Sequence, residues 1–223
     1  MTSEASLKGI PKATGAGRRK GGRSAYQQEQ RDSTRKSLLG AGLSVFTEKP
    51  YFEATIDDLV RAGGVSRAAF YIHFESKLDL ALAVFKSGVG SVREMYEALP
   101  FLKADDLPAV RQWLGQLLRL YREQVHILRL HAELDAFEPR FQAHDDTLND
   151  NLIEAFAEAL PSFRAALAHE KSSIPVRVKT IMMVKQVGTV CAMLAMREKV
   201  EHEEVYIDIL STVLNDFLRE YQS

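Results

Sequence analysis

At 223 residues, 46 % hydrophobic and 26 % charged, the chain carries enough apolar material for a sizeable core, in one large domain or two small ones. A single cysteine, Cys191, excludes an internal disulfide framework and suits a reducing compartment. The net charge of −1 conceals an asymmetry, because residues 1–36 hold nine Lys/Arg against three Asp/Glu, a local +6 that leaves −7 for the remainder.

That basic excess sits in a segment, GAGRRKGGRSAYQQEQR, with no hydrophobic period, so residues 1–30 are expected to form a disordered basic arm. Its glycines have no strand before them and the wrong spacing for a dinucleotide loop. No secretory signal is expected, since the opening residues lack an apolar stretch of the required kind. From Arg31 to Thr47, Leu38, Leu39, Gly42, Val45 and Phe46 recur on one side of a helix, which Pro50 ends by disfavouring helical geometry at Lys49. Gly40 and Gly42 within it point to a close backbone approach by a neighbour.

The stretch Thr55–Leu80 reads as three helix starts in quick succession. Thr55 and Asp58 form a capping box, Ile56, Leu59 and Val60 share an inner stripe, and Gly63-Gly64 stops the helix. Ser66 caps the next helix and Val65 is placed to staple onto Phe70. With Phe70 and Phe74 inward, a turn of about 100° per residue aims Ala68 and Ile72 outward with Ala69 and Tyr71 beside them, and leaves Arg67 and His73 at the margins. Ser76 and Asp79 predict a second capping box. Lys77 in the first turn of that helix is electrostatically misplaced unless an anion such as a phosphate lies nearby.

This is a helix-turn-helix pattern, and the run VSRAAFYIHFESKLDL resembles the TetR family of transcriptional regulators, whose usual form is close to GVS-x-x-T-[LF]-Y-x-[HY]-F-x-[SN]-K-x-x-L. Gly64, Val65, Ser66, Phe70, Tyr71, His73, Phe74, Ser76, Lys77 and Leu80 match it. Ala68 and Ala69 depart from it, the latter where a hydroxyl usually meets phosphate. The resemblance is strong over residues 31 to 85 and architectural beyond. It implies that Arg67, Ala68, Tyr71 and Ile72 face base edges in a DNA major groove, while Thr55, Ala69, Tyr71, His73 and Lys77 face phosphates. Arg18, Arg19 and Arg23 of the arm would add phosphate or minor-groove contacts.

Beyond Ser76 the pattern is helical throughout, with no strand and no internal repeat, so the expected fold is all-α: a head at 31–80 and a helical body at 81–223. A single helix is expected from Ser76 to about Leu99, where Pro100 stops it, and another from Asp106 until Pro139 breaks it. Arg140–Leu160, a short piece Ser162–Ala168, Val176–Met196 and Glu203–Tyr221 complete the body. The apolar run Gln186–Met196 is too short to cross a bilayer, so no membrane partner is expected and the location should be cytoplasmic. Phe85, Met95, Tyr96, Trp113, Leu117, Tyr121, Phe137, Phe141, Phe156, Met182 and Met183 are large adaptable side chains available to a pocket, with Trp113, Tyr121 and Gln186 as polar groups. Gly188, Ala192 and Ala195 allow close helix approach, and Val205, Ile209, Thr212, Val213 and Phe217 give the last helix an apolar stripe. The resemblance implies that these two helices form a four-helix bundle across a homodimer, and that a small-molecule inducer sets the spacing of two heads on a pseudo-palindromic operator.

Catalytic signals are weak. His131, Glu133, Asp135, His144, Asp145 and Asp146 match no metal-ligand spacing, so no metal or cofactor is expected, and no nucleophile elbow, phosphate loop or cysteine pair occurs. A helical enzyme or a protein-binding scaffold with an apolar cavity are the alternatives to a DNA-binding regulator, and neither explains a basic arm joined to the Thr55–Leu80 motif.

Overall fold

Helix α1 runs Lys20–Glu48 and buries Leu38, Ala41, Val45 and Phe46 along one side. The computed structural model that shows this describes residues 20–164 and 173–222, and their side chains except at 20–24, 142–150 and 162. Arg18, Arg19, the Arg23 side chain, the His144–Asp146 cluster and most of the Ser162–Ala168 piece therefore lie outside the described residues. For residues 20–30 the disordered-arm expectation is corrected to helix. Ala25, Gln27, Gln28, Glu29 and Gln30 favour helix, Gln28 donates to Asp32 one turn on at 3.1 Å, and a helix extension standing in solvent needs no apolar period.

Three short helices complete the head: α2, Ile56–Gly63; α3, Arg67–His73; and the start of α4, Lys77–Gly88. Their ends are built as the sequence predicts. Thr55 and Asp58 make both halves of the capping box, Gly64 closes α2 at φ 61°, and Ser66 accepts from the Ala69 amide at 3.1 Å. At α4 only half of the expected box forms. Ser76 accepts from the Asp79 amide, but the Asp79 carboxylate lies 3.9 Å from Arg140 of the body instead. Gly42 is where α1 and α4 cross, since a Cβ there would lie 2.8 Å from Val84 and 3.3 Å from Leu80, whereas Gly40 faces open space.

Two helices expected to be continuous are each broken. The helix after Ser76 divides at Val89 into α4 and α5, Gly90–Ala98. Gly88 explains the bend: a Cβ there would meet Ile127 at 2.7 Å, so the chain brings its backbone against that side chain at this point. The next helix divides at Gln124 into α6, Leu107–Glu123, and α7, Val125–Phe137. Then follow α8, Pro139–Ala159; α9, Ile174–Ala195; and α10, Glu203–Gln222. No strand occurs among the described residues.

Two cores hold this together. The body core stacks Trp113, Leu114, Leu117 and Tyr121 of α6 against Phe156, Val187, Cys191, Leu214 and Phe217. The head core gathers Leu38, Leu59, Phe70, Phe74 and Leu80, then continues without a gap into Ile127, Leu130 and Leu134 of α7 and Phe141 of α8. The boundary at 80/81 therefore falls inside α4 and inside a continuous apolar cluster. Helix α9 has the length and composition to span a bilayer, but it packs Met183, Val187, Cys191 and Leu194 into the interior. It is a body helix with one buried face.

Candidate nucleic-acid interface and body cavity

Phe70 is fully buried and Phe74 nearly so, and these two anchors fix which side of α3 meets solvent. Arg67 and Ala68 are exposed, Tyr71 is half-exposed and Ile72 is 64 % exposed, an unusual display of a large aliphatic side chain on so short a helix. Arg67 lies 2.9 Å from Asp57 of α2, and Tyr71 also stabilises its guanidinium. Such an exposed pair is weak and opens readily for a stronger anion. Thr55 stands exposed beside this face with its hydroxyl bonded to Asp58 at 2.8 Å, while Ala69 is half-buried.

Lys77 is placed differently from the expectation. Its ammonium donates to the carbonyls of Tyr51 at 2.7 Å and Ala54 at 2.9 Å, and sits 4.2 Å from the centre of the Tyr51 ring. These carbonyls, with the ring and the nearby Glu133 and Glu138, supply the negative partner that its position demands. Burial lowers its pKa and the two glutamates oppose that. Tyr51 in turn donates its hydroxyl to Glu138 at 2.6 Å and its amide to Glu133, so that the turn before α2 is tied to α7 and the residue that follows it. Sequence reasoning missed this latch because its partners are more than eighty residues apart.

Arg35 fixes the other end of α3. It donates to the His73 carbonyl at 3.2 Å and lies 4.5 Å from the centre of the Phe74 ring. Partial burial first, then Arg35 and Arg31, lower the His73 pKa, which favours a neutral imidazole at neutral pH. A phosphate placed here would reverse the electrostatic part of that shift.

Residues 38–84, which hold α2, α3 and most of α4, match the family model described as bacterial regulatory proteins of the tetR family. The head matches the TetR family. The transcriptional activator FasR of Mycolicibacterium smegmatis is 38 % identical over 72 residues, 32 % of this chain and 33 % of that protein. The transcriptional repressor BepR of Brucella suis is 33 % identical over 101 residues, 41 % of this chain and 46 % of that protein. The chain thus spans less than half the length of these curated relatives. A TetR family transcription regulator from Marinobacter aquaeolei aligns in structure over 85 % of this chain and 97 % of its own, at 19 % identity and a TM-score of 0.56. That likeness extends the TetR fold through the body.

The TetR-like body holds a partly open cavity of about 450 Å³ between α4, α5, α6, α7, α8 and α9. Of the residues expected to line a pocket, Phe85, Tyr96 and Tyr121 do so. Leu117, Phe141 and Phe156 are fully buried core, Trp113 is buried and donates to the Met95 carbonyl at 3.0 Å, and Met183 is buried. Met95 packs on the same core, while Gln186 and Met182 face solvent, as does Phe137, which is 61 % exposed against Phe52. The rest of the cavity wall is made by Val89, Val92, Ile127, Leu128 and Val184, with Gln124 and Gly188 as its distinctive unforeseen members. Burial pushes the Tyr121 phenol up to about 12 and Tyr96 well above its ordinary value, so both are neutral hydroxyls. Burial also pushes the Cys191 thiol up to about 12, which makes it an inert core residue.

Gly188 and Ala192, read as interface residues, face this cavity, and Phe217 lies in the body core. Ala195 and Val213 are partly buried against that core, leaving Ile209 exposed among the six. An exposed apolar stripe runs through Ile174, Val178 and Met182 of α9 and through Val205 and Ile209 of α10, the last two belonging to the stripe expected on that helix, with Met182 66 % and Ile209 60 % exposed. The small residues of α9 lie on its inner side, and its outer side holds the larger ones.

Proposed function

We propose that this chain is a cytoplasmic, homodimeric, sequence-specific DNA-binding transcriptional regulator, acting as a repressor that a small apolar or amphipathic inducer releases from a pseudo-palindromic operator. The observation that carries the reading is α3, whose two phenylalanine anchors present Arg67, Ala68, Tyr71 and Ile72 as one exposed strip fit for base edges, with Thr55, Ala69, Tyr71 and His73 flanking it for phosphates. Arg18, Arg19 and Arg23 add charge ahead of it. Lys77 acts as a positioning residue that holds α4 to the turn at Tyr51.

The apolar stripe on α9 and α10 supports a second copy packing there by two-fold symmetry, which would set two α3 helices one operator half-site apart. The cavity supports the inducer. Phe85 and Ile127 belong both to its wall and to the head core, so a ligand that pushes them apart moves α4, on which the head rests. An enzyme would leave the α3 strip without a use, and a protein-binding scaffold would leave the basic arm ahead of it without one. Fluorescence anisotropy on fragments selected from the genome of origin tests the reading. Tight, sequence-dependent binding with a steep salt slope is expected, and equal weak binding to every fragment would overturn it.

A further inference from the structure

The Oε1 of Gln124 is buried and has no hydrogen-bond partner among the described residues. An unpaired buried carbonyl oxygen is costly and uncommon, and one that borders a cavity is accounted for by a donor on whatever occupies the cavity. Gln124 stands where α6 gives way to α7, three residues after Tyr121, so the two share a helix face. The hydroxyls of Tyr96 and Tyr121 lie 3.3 Å apart. One donates to the other, which leaves a single O–H for a neighbour. Gly188 sits against this pair, since a Cβ there would lie 3.4 Å from both hydroxyl oxygens. Of the charged side chains in the wall, Arg93 pairs with Glu97 at 2.6 Å, Lys185 has partners of its own, and Asp135 stands exposed to solvent.

We propose that the cavity takes an uncharged amphipathic small molecule, whose polar end carries a hydroxyl or amide-type N–H that donates to Gln124 Oε1 beside the tyrosine pair. Its apolar body lies along Phe85, Ile127 and Leu128. The proposal rests on the inducer reading of the cavity and assigns that ligand its chemistry. A purely apolar molecule leaves the Gln124 oxygen unpaired, and a carboxylate sets anionic oxygen against it, so Gln124 selects for a neutral donor.

The test titrates para-butylphenol, its methyl ether para-butylanisole and para-butylbenzoate by calorimetry into the full-length protein and into its Gln124→Met and Gly188→Leu variants. The phenol is expected to bind at least about tenfold more tightly than the ether, the increment of one satisfied buried hydrogen bond. Gln124→Met should reduce that preference to near unity without weakening the ether. Its ligand-free thermal midpoint should stay level or rise, because an apolar group of similar size replaces an unsatisfied oxygen. Gly188→Leu should lose all three probes while keeping its helical content. Equal affinity for phenol and ether, tightest binding of the benzoate, or a lower midpoint in Gln124→Met would overturn the donor assignment and leave the cavity standing. No binding of any probe, or undiminished binding by Gly188→Leu, would overturn the inducer reading of the cavity itself.

Discussion

Head and body, both all helix, build two kinds of site. In the head, each cap and anchor acts within a few residues of itself: Thr55 with Asp58, Ser66 with Ala69, Phe70 with Phe74. The exposed strip of α3 follows from that local geometry alone. In the body, the cavity joins Phe85 to Met196 through six helices, and no wall residue reveals its role from its neighbours in the chain. A surface built from one helix is read by period; a hollow between helices depends on how several breaks and crossings combine.

The first way to break the contrast is to ask whether head and body unfold apart. Phe70 is fully buried in a core that runs on into Ile127, Leu130, Leu134 and Phe141. Phe70→Ala should therefore destabilise the whole chain by about 3–5 kcal/mol, in a single transition seen alike by circular dichroism and tyrosine fluorescence. Two separate transitions, with the body unaffected, would show the shared cluster to be a contact between independent units.

Next in size is the crossing of α4 and α7. A Cβ at Gly88 meets buried Ile127 at 2.7 Å, so Gly88→Ala should cost about 2 kcal/mol by overpacking, and Ile127→Val should recover part of it in the double variant. Because these residues link cavity and head, the variant should also shift DNA affinity measured at saturating protein stability, in the presence of a stabilising osmolyte. Additive losses with no recovery would place the strain elsewhere.

Lys77 separates positioning from phosphate contact. Lys77→Met should cost about 1.5 kcal/mol by leaving the Tyr51 and Ala54 carbonyls without their charged donor, and should lower DNA affinity through a loosened α4. The salt slope of binding should stay as in the parent protein, since a charge turned into the protein releases no counterion from DNA. A slope shallower by about one unit would restore Lys77 to the phosphate-facing set.

How much of this was legible beforehand follows the same division. The all-α fold, the caps of α2 and α3, the outward turn of Ala68 and Ile72 and the close approach at Gly42 all stand in the sequence, because each rests on helical period or on a single backbone requirement. The breaks at Val89 and Gln124 do not, since apolar residues keep their helical spacing across both and the bend at Gly88 depends on Ile127, which the period cannot place. Gly188 was visible as a small residue but not as a cavity wall. Gln124 was open to notice as a lone amide in an apolar register, although its orphaned oxygen is a property of the packed body. The inward turn of Lys77 required knowing that Glu133 and Glu138 come to rest beside Tyr51.

The smallest effect lies in the cap of α2 and has a definite pH signature. Hydrogen bonds from the Thr55 side chain and then its amide, followed by Lys49, hold Asp58 down at about 2, against an ordinary value of 3.8. A carboxylate depressed on folding stabilises the native state in full above its unfolded value and loses that contribution as pH falls toward the folded one, so the window lies between about 4 and 2. Thr55→Ala removes the side-chain part of the cap and should cost about 1 kcal/mol at neutral pH. It should also raise the Asp58 pKa, so the variant's stability falls less steeply than the parent's across that window and the two acid-unfolding curves converge near its lower end. Carbon-detected titration of Asp58 in both proteins checks the shift directly, and parallel acid limbs would assign the depression to Lys49 rather than to the cap.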